Sequence, residues 1–329
     1  MNIVIVHDQV PEGASADEQD TLVQCGAVFD ALTDLGHIPV LFPFSLNCEE
    51  SIRGLREVKA EMAFNLVESV SGQGRLIHTA PAILDVLPLP YTGSRTEAIF
   101  LSSNKLLAKR VLALSGIATP EWITQEYPGP AIIPDGRTYI IKSVWEHASK
   151  GLNERSIVRC GEDGASGDTI RHRLEETGGE CFAEVFIEGR EFNTSLLENG
   201  DGPDVLPAAE IRFVDYPEGK HAIVDYRAKW EKDSFEYRHT IRSFEFPPED
   251  APLLKELGRI ATRCWDIFGL RGYARVDFRV DRTGIPWVLE INTNPCIAPD
   301  AGFTAAAERA GLGYTEVVDR IIRATPVQS

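Results

Sequence analysis

The 329-residue chain is poor in cysteine and methionine and carries no excess of positive charge. Its six cysteines, Cys25, Cys48, Cys160, Cys181, Cys264 and Cys296, form no CxxC pair and no zinc-like spacing, and the seven histidines form no metal-spaced pair. That excludes a disulfide-stapled domain and a structural zinc site, and it fits free thiols in a reducing cytoplasm. Thirty-three Lys and Arg face 50 Asp and Glu, a net charge of −17, so no basic surface is available for nucleic acid. No apolar run is long enough to span a membrane, and the opening MNIVIVHD, without a basic stretch or cleavage site, reads as a strand rather than a signal peptide. GxxxxGK[ST], GxGxxG and GxSxG are all missing, which leaves P-loop, dinucleotide and hydrolase-elbow readings without support. Internal repeats and low-complexity segments are missing too.

What remains is an ordinary globular composition, 43% hydrophobic and 25% charged, at a length that suggests two or three domains. The first third alternates strand and helix signals. Ile3 to Val6, Pro39 to Phe42 and Met62 to Val67 read as strands, with helices from about Glu18 to Leu35 and Arg75 to Val86 between and after them. This is a parallel α/β unit. Ser15 and Glu18 have capping-box spacing at the first helix. The turn-rich Pro90 to Ser94 closes the unit, and a basic helix with Lys105, Lys109 and Arg110 follows from Asn104 to Ser115. Thr138 to Ile141 is a strand ending at Lys142, and Cys181 to Ile187 a strand ending before Glu188-Gly189-Arg190-Glu191. From Asp201 to Pro248 the chain is aromatic and charged with weak periodicity, a length typical of a functional lid. Helices from Pro252 to Phe268 and Tyr314 to Ile322 complete the pattern.

Between those last two helices lies the most telling stretch, Arg275 to Pro299. Val276, Phe278 and Val280 alternate with Arg275, Asp277 and Arg279; after a turn at 281–284, Trp287, Leu289 and Ile291 alternate with Val288, Glu290 and Asn292. A simple antiparallel hairpin would set Asp277 beside Glu290 and Asn292. Two carboxylates and an amide are hard donors of the kind Mg²⁺ or Mn²⁺ prefers, and Arg275 on the same face could hold an anion next to them. Taken alone, the pattern points first to an amphipathic hairpin with a solvated polar face, since such faces are common.

The flanking motifs decide between these. PYTGS, NKLLAKRVLALSGIATP, IIKSVWEHASKG, AEVFIEGREF and VLEINTNP, in this order, resemble the ATP-grasp superfamily and within it the D-alanine–D-alanine ligase group, over nearly the whole chain. The resemblance implies an ATP-grasp fold, α/β with an α+β ATP-binding part, divided into an N-terminal substrate-side domain (1–103), a central ATP-grasp subdomain (104–188) and a C-terminal subdomain with lid and metal site (189–329). It implies phosphate contacts from Lys105 and Lys142, an adenine hinge from Glu184 through Phe186 to Ile187, a ribose-binding acid at Glu191 and a lid lysine at Lys229. Asp277, Glu290 and Asn292 would hold Mg²⁺ or Mn²⁺, and Arg275 with the backbone N–H of Cys296 would stabilise an oxyanion. A homodimer acting on small amino-acid-like molecules is also implied.

The amino-acid half departs from the family. The acid that holds the first substrate's ammonium aligns near Glu18 or Gln19, Ala148 replaces a supporting serine, and Trp230 stands where relatives have a lid tyrosine. Glu68-Ser69 replaces His-Gly, with Glu68 beside a loop that could touch substrate. Cys296 replaces Gly and Ala301 a serine that helps bind the acceptor's carboxylate, with Asp300 adding negative charge beside it. Cys296 has no base near it in the motif and reads as a small lining residue rather than a nucleophile. The expected activity is therefore an ATP-dependent carboxylate–amine ligase working through an acyl phosphate. Its product is open: D-alanyl-D-alanine, another pair of small amino acids, or a ring closed within one molecule. A non-catalytic ATP-binding protein is the competing class, but it would not need Arg275, Asp277, Glu290 and Asn292.

Overall fold

The computed structural model describes residues 1–124, 136–147, 149–160, 167–176 and 180–326; Ala148 lies outside them. Three strands, β1 (Asn2–Asp8), β2 (Ile38–Phe44) and β3 (Met62–Asn65), form a parallel sheet in the order β2-β1-β3. Ile3, Val4, Ile5 and Val6 are all buried, the unbroken apolar run of a strand covered on both faces. Helices α1 (Ala16–Asp34), α2 (Cys48–Val58), α3 (Thr79–Val86), α4 (Thr96–Ser103) and α5 (Lys105–Leu114) accompany it. The helix expected from Arg75 begins only at Thr79. Pro81, having no N–H, is tolerated in a first turn and not in the middle of a helix, and a single 3₁₀ turn, Gly74–Leu76, precedes it.

A second sheet, in the order β4-β7-β5-β6, comprises β4 (Trp122–Ile123), β5 (Thr138–Ser143), β6 (Ile157–Arg159) and β7 (Cys181–Val185), with α6 (Gly167–Glu176) between β6 and β7. The third and largest is built from β8 (Gly189–Asn199), β9 (Gly202–Val205), β10 (Ala209–Phe213), β11 (Thr240–Ser243), β12 (Tyr273–Asp281) and β13 (Pro286–Asn292). Its path is β11-β10-β8-β12-β13, with β9 paired to β8. Two short helices, α7 (Tyr226–Trp230) and α8 (Phe235–His239), lie between β10 and β11; α9 (Ala251–Phe268) precedes β12, and α10 (Gly302–Arg309) and α11 (Tyr314–Arg323) follow β13. The aromatic excursion from Asp201 to Pro248 thus contributes three strands of the large sheet, β9, β10 and β11. Only its middle, from β10 to β11, is free to serve as a lid.

Helix α9 shows why the large sheet is stable. Leu257, Ile260, Ala261, Cys264, Trp265 and Phe268 recur at helical spacing on one face and are buried against Phe192, Val276, Phe278 and Val288. The helix ends at Gly269, whose φ of +60° is the left-handed cap that favours glycine. A different core joins the two ends of the chain: Ile3, Ile5, Val28, Leu32 and Phe64 pack with Tyr273, Phe303, Val317, Val318 and Ile321. The N-terminal sheet is therefore closed by the last two helices. At the junction of the second and third sheets, Gly189 has φ +150°, and a Cβ there would lie 2.0 Å from the Val280 carbonyl oxygen. Only glycine lets β8 begin this close to β12.

Candidate active site

A cavity of about 1070 Å³ opens where the three sheets meet, and the hairpin β12–β13 forms its floor. Arg275 stands opposite Asn292 and Asp277 opposite Glu290, the register that brings the anticipated groups together. The simple alternation fails at one place. A β-bulge follows Asp277, so Phe278 pairs with Val288; Val288 is buried in the core, while Leu289, Glu290 and Asn292 all face the cavity. Val288, expected on the polar side with Glu290, thus belongs to the apolar side.

Each hairpin acid is held by cations. Arg275 forks onto both oxygens of Asp277, Nε to Oδ1 at 2.8 Å and the second nitrogen to Oδ2 at 2.9 Å, and the Asn193 amide donates to Oδ1 at 2.7 Å from the neighbouring strand. Glu290 accepts from His147 Nδ1 at 2.8 Å, with Lys105 Nζ at 3.7 Å. Burial alone would raise the Glu290 carboxyl, but Lys105, then His147 and Lys229, outweigh it and hold it well below the usual range. Burial works against the Arg275 charge as well, and Asp277 overrides it, keeping the guanidinium protonated. Two carboxylates and an amide on facing strands fit Mg²⁺, which binds one or two protein acids and leaves its other positions to water and phosphate.

The lysines are less uniform than expected. Lys105 donates to the Glu146 carbonyl at 2.6 Å and reaches Glu290. Lys142 pairs with Glu184 at 2.5 Å, and the other oxygen of Glu184 pairs with Lys109 at 2.8 Å. Glu184 and Lys109 are both sealed from solvent. The hinge acid is thus committed to two lysines, and Lys109, expected as one cation of a basic helix face, is interior. Losing one member of such a buried set typically costs about 3–5 kcal/mol. Phe186 carries the Arg279 guanidinium 5.3 Å from its ring centre, Arg279 pairs with Glu191 at 2.8 Å, and Phe186, Ile187, Glu191 and Arg279 all line the cavity. Lys229, on α7, opens into the same space; burial, and then Arg275, lower its pKa.

On the amino-acid side the structure corrects the sequence reading. Gln19 does not line the cavity; it is exposed and its amide folds back onto the Ala14 carbonyl at 2.7 Å. Glu18 lines the rim but is occupied with capping α1, accepting the Ser15 backbone N–H at 3.0 Å. Asp17, Asp20 and Thr21 face inward instead, with Asp8 and Glu68 behind them. Glu68 is not on a free loop. Gln24 donates to its carboxylate at 3.2 Å, and Asp8 accepts its backbone N–H together with the backbone N–H and hydroxyl of Ser69, each at 2.9 Å. Burial, and then Asp8, push the Glu68 carboxyl up to about 8, and burial pushes Asp8 to about 6. The Cys296 thiol donates to Asp20 at 3.2 Å, and burial, Glu68 and Asp20 raise its pKa far above the ordinary thiol range, which disfavours the thiolate that a nucleophile needs. Asp300 and Ala301 line the rim at the start of α10 beside Arg242, a cation that the motifs did not indicate. Trp230 lines the wall formed by α7.

The segment between β10 and β11 is closed over this space. The Tyr226 hydroxyl donates to Asp17 at 2.9 Å and Ser149 Oγ to the Val224 carbonyl at 2.7 Å. This segment thus meets an acid of α1 through Tyr226, although Trp230 occupies the expected tyrosine position.

Comparison with known proteins agrees with this geometry. Residues 168–323 match the family model described as D-ala D-ala ligase C-terminus. A D-alanine–D-alanine ligase of Albidiferax ferrireducens is 30% identical, covering 94% of this chain and 84% of that protein. One from a Synechococcus strain is 31% identical over 98% and 92%. The solved D-alanine–D-alanine ligase of Bacillus anthracis complexed with ATP superposes with a TM-score of 0.72 at 22% identity, covering 98% of this chain and 97% of that one. That of Coxiella burnetii gives 0.68 at 16% identity, over 98% and 93%.

Proposed function

Since the chain belongs to the family of the D-alanine–D-alanine ligases, ATP-grasp enzymes that join a carboxylate to an amine with release of ADP, we propose that it couples two small amino acids inside this one cavity. The observation that carries the reading is continuity. Arg275, Asp277 and Glu290 share a single space with Asp17, Asp20 and Glu68, so phosphate chemistry and ammonium-binding acids adjoin.

In this reading Lys105 and Lys142 meet the nucleotide phosphates, Phe186 and Ile187 flank the adenine with Glu184 behind them, and Glu191 holds the ribose. Asp277, Glu290 and Asn292 hold Mg²⁺, which when bound offsets phosphate charge. Asp17 and Asp20 take the substrate's ammonium. The donor carboxylate attacks the γ-phosphorus and ADP leaves; Lys229 and Arg275 offset charge on the transferring group. The acceptor amine then attacks the acyl phosphate, a C–N bond forms, and phosphate departs as the amine sheds its proton. Arg275 and the Cys296 backbone N–H stabilise the oxyanion of that step. The segment carrying Tyr226, Lys229 and Trp230 excludes the water that would hydrolyse the acyl phosphate. The division at 103 and 188 belongs to the same proposal and is supported by one sheet lying in each part. So do a homodimeric assembly, by analogy with relatives, and a cytoplasmic location, which the six free thiols fit.

The Tyr226–Asp17 bond favours the narrower reading, D-alanyl-D-alanine synthesis, because it restores a lid-to-acid contact whose loss would argue for another substrate. Ala301, Asp300 and Glu68 favour a different pair. ADP release with Mg²⁺ and a panel of single and paired D- and L-amino acids, with product masses, separates the two. Release with D-alanine alone and a dipeptide product establishes the narrower reading; release with no member of the panel refutes amino-acid ligation.

A further inference from the structure

We propose that Lys109 is a positioning residue that frees Lys142 to serve the nucleotide. The inference rests on the nucleotide reading of the cleft given above. Lys109 and Lys142 take the two oxygens of one carboxylate, Glu184, at 2.8 and 2.5 Å, yet the two lysines are held differently. Lys109 is sealed from solvent and does not line the cavity. It also donates to Thr119 Oγ1 at 2.8 Å and the Pro120 carbonyl at 2.9 Å, so two hydrogen bonds besides the ion pair hold the ammonium in place. Lys142 lines the cavity with 19% of its side chain exposed, and Glu184 is its one ion-pair partner among the described residues.

A carboxylate in the interior with only one counter-ion would not release it. If Lys142 alone neutralised Glu184, turning toward a polyphosphate would leave a charged, unpaired group buried. Lys109 removes that obstacle. Burial would raise the Glu184 carboxyl, but Lys109 is the strongest influence holding it ionised, ahead of Lys142. Glu184 keeps its ion pair with Lys109 when Lys142 leaves, and a full positive charge becomes available to the cleft. Lys109 touches no substrate; it acts through Glu184 on where Lys142 can go.

The test is a double-variant cycle of Lys109→Met and Glu184→Gln, with affinities for ATP, ADP and adenosine and steady-state kinetics in ATP. Lys109→Met is expected to weaken ATP and ADP at least tenfold and to raise the KM for ATP alike, while adenosine, which offers Lys142 no phosphate, stays within threefold. In the Glu184→Gln background the same substitution is expected to change ATP affinity less than threefold, because no carboxylate remains to retain Lys142. A lysine that only props the fold would lower ATP and adenosine affinity in parallel and cost the same in both backgrounds; either result overturns the proposal. Lys109→Gln, which keeps a polar group beside Thr119, carries the measurement if the methionine variant does not fold. Wild-type protein that bound no ATP would strike instead at the nucleotide reading, so the two failures are distinguishable.

Discussion

Replacing Tyr226 by Phe removes one hydroxyl and tests whether the lid is latched by the α1 acid. The hydroxyl donates to the Asp17 carboxylate at 2.9 Å, a contact between residues 209 positions apart. Hydrogen bonds to a charged group contribute about 1.5–3 kcal/mol, and about 1.4 kcal/mol is a factor of ten, so complete loss corresponds to roughly 10–150-fold. Tyr226 is only partly buried, which places the effect near the lower end, about tenfold in kcat/KM for the amino substrates. Helix α7 itself is unaffected, because Asp225 still caps it through the Ala228 N–H at 2.9 Å, and Ser149 still holds Val224. The loss is thus one of docking and not of folding. A loosened lid also admits water, so ADP release without amino substrate should rise while the melting midpoint stays put. Coupled-assay kinetics with and without substrate read both quantities. Wild-type kcat/KM together with unchanged idle ADP release would refute the latch.

Asp277→Asn and Glu290→Gln each remove a hard donor from the floor of the cavity, and Asp277→Asn also strips Arg275 of its forked partner. Both are expected to lower kcat on the order of 100-fold and to raise the Mg²⁺ concentration for half-activity at least tenfold; an unchanged Mg²⁺ titration would count against the metal role. Stability should depend on pH through Glu68, whose carboxyl titrates near 8 in the fold against 4.5 when free. Between those values the folded protein keeps a proton that the unfolded chain has lost, so stability falls as pH rises from about 4.5 to about 8. Glu68→Gln cannot lose that proton. Its melting midpoint should exceed that of the wild type at pH 8, by roughly 2–4 °C per kcal/mol, and match it at pH 4.5; equal midpoints at both values would refute the assignment.

The parts legible in the sequence were those set by local periodicity. Alternation in β12 announces a strand with Arg275 and Asp277 on one face, and the spacing of Leu257 to Phe268 announces α9. The bulge after Asp277 was not legible, because no glycine or proline marks it and only the paired strand reveals that Leu289 is the extra residue. The wrong choice at Gln19 was a matter of helical phase. Asp17, Asp20, Thr21 and Gln24 recur three or four apart on one face of α1, and Gln19 points away from it. Tyr226 and Lys109 were missed for another reason: their partners, Asp17 and Glu184, are remote in the chain, and no local pattern distinguishes a buried lysine on a basic helix from a solvated one.

The core that joins β1, α1 and β3 to α10 and α11 also sets an order of events during synthesis. Ile5 and Phe64 leave the ribosome early, but Phe303, Val317 and Ile321, which cover them, follow about 240 residues or more later. At about 5–20 residues per second the interval is roughly 15–50 s. For that time the first sheet carries an uncovered apolar face beside a nascent chain, a surface that favours aggregation until the residues of α10 and α11 arrive to cover it.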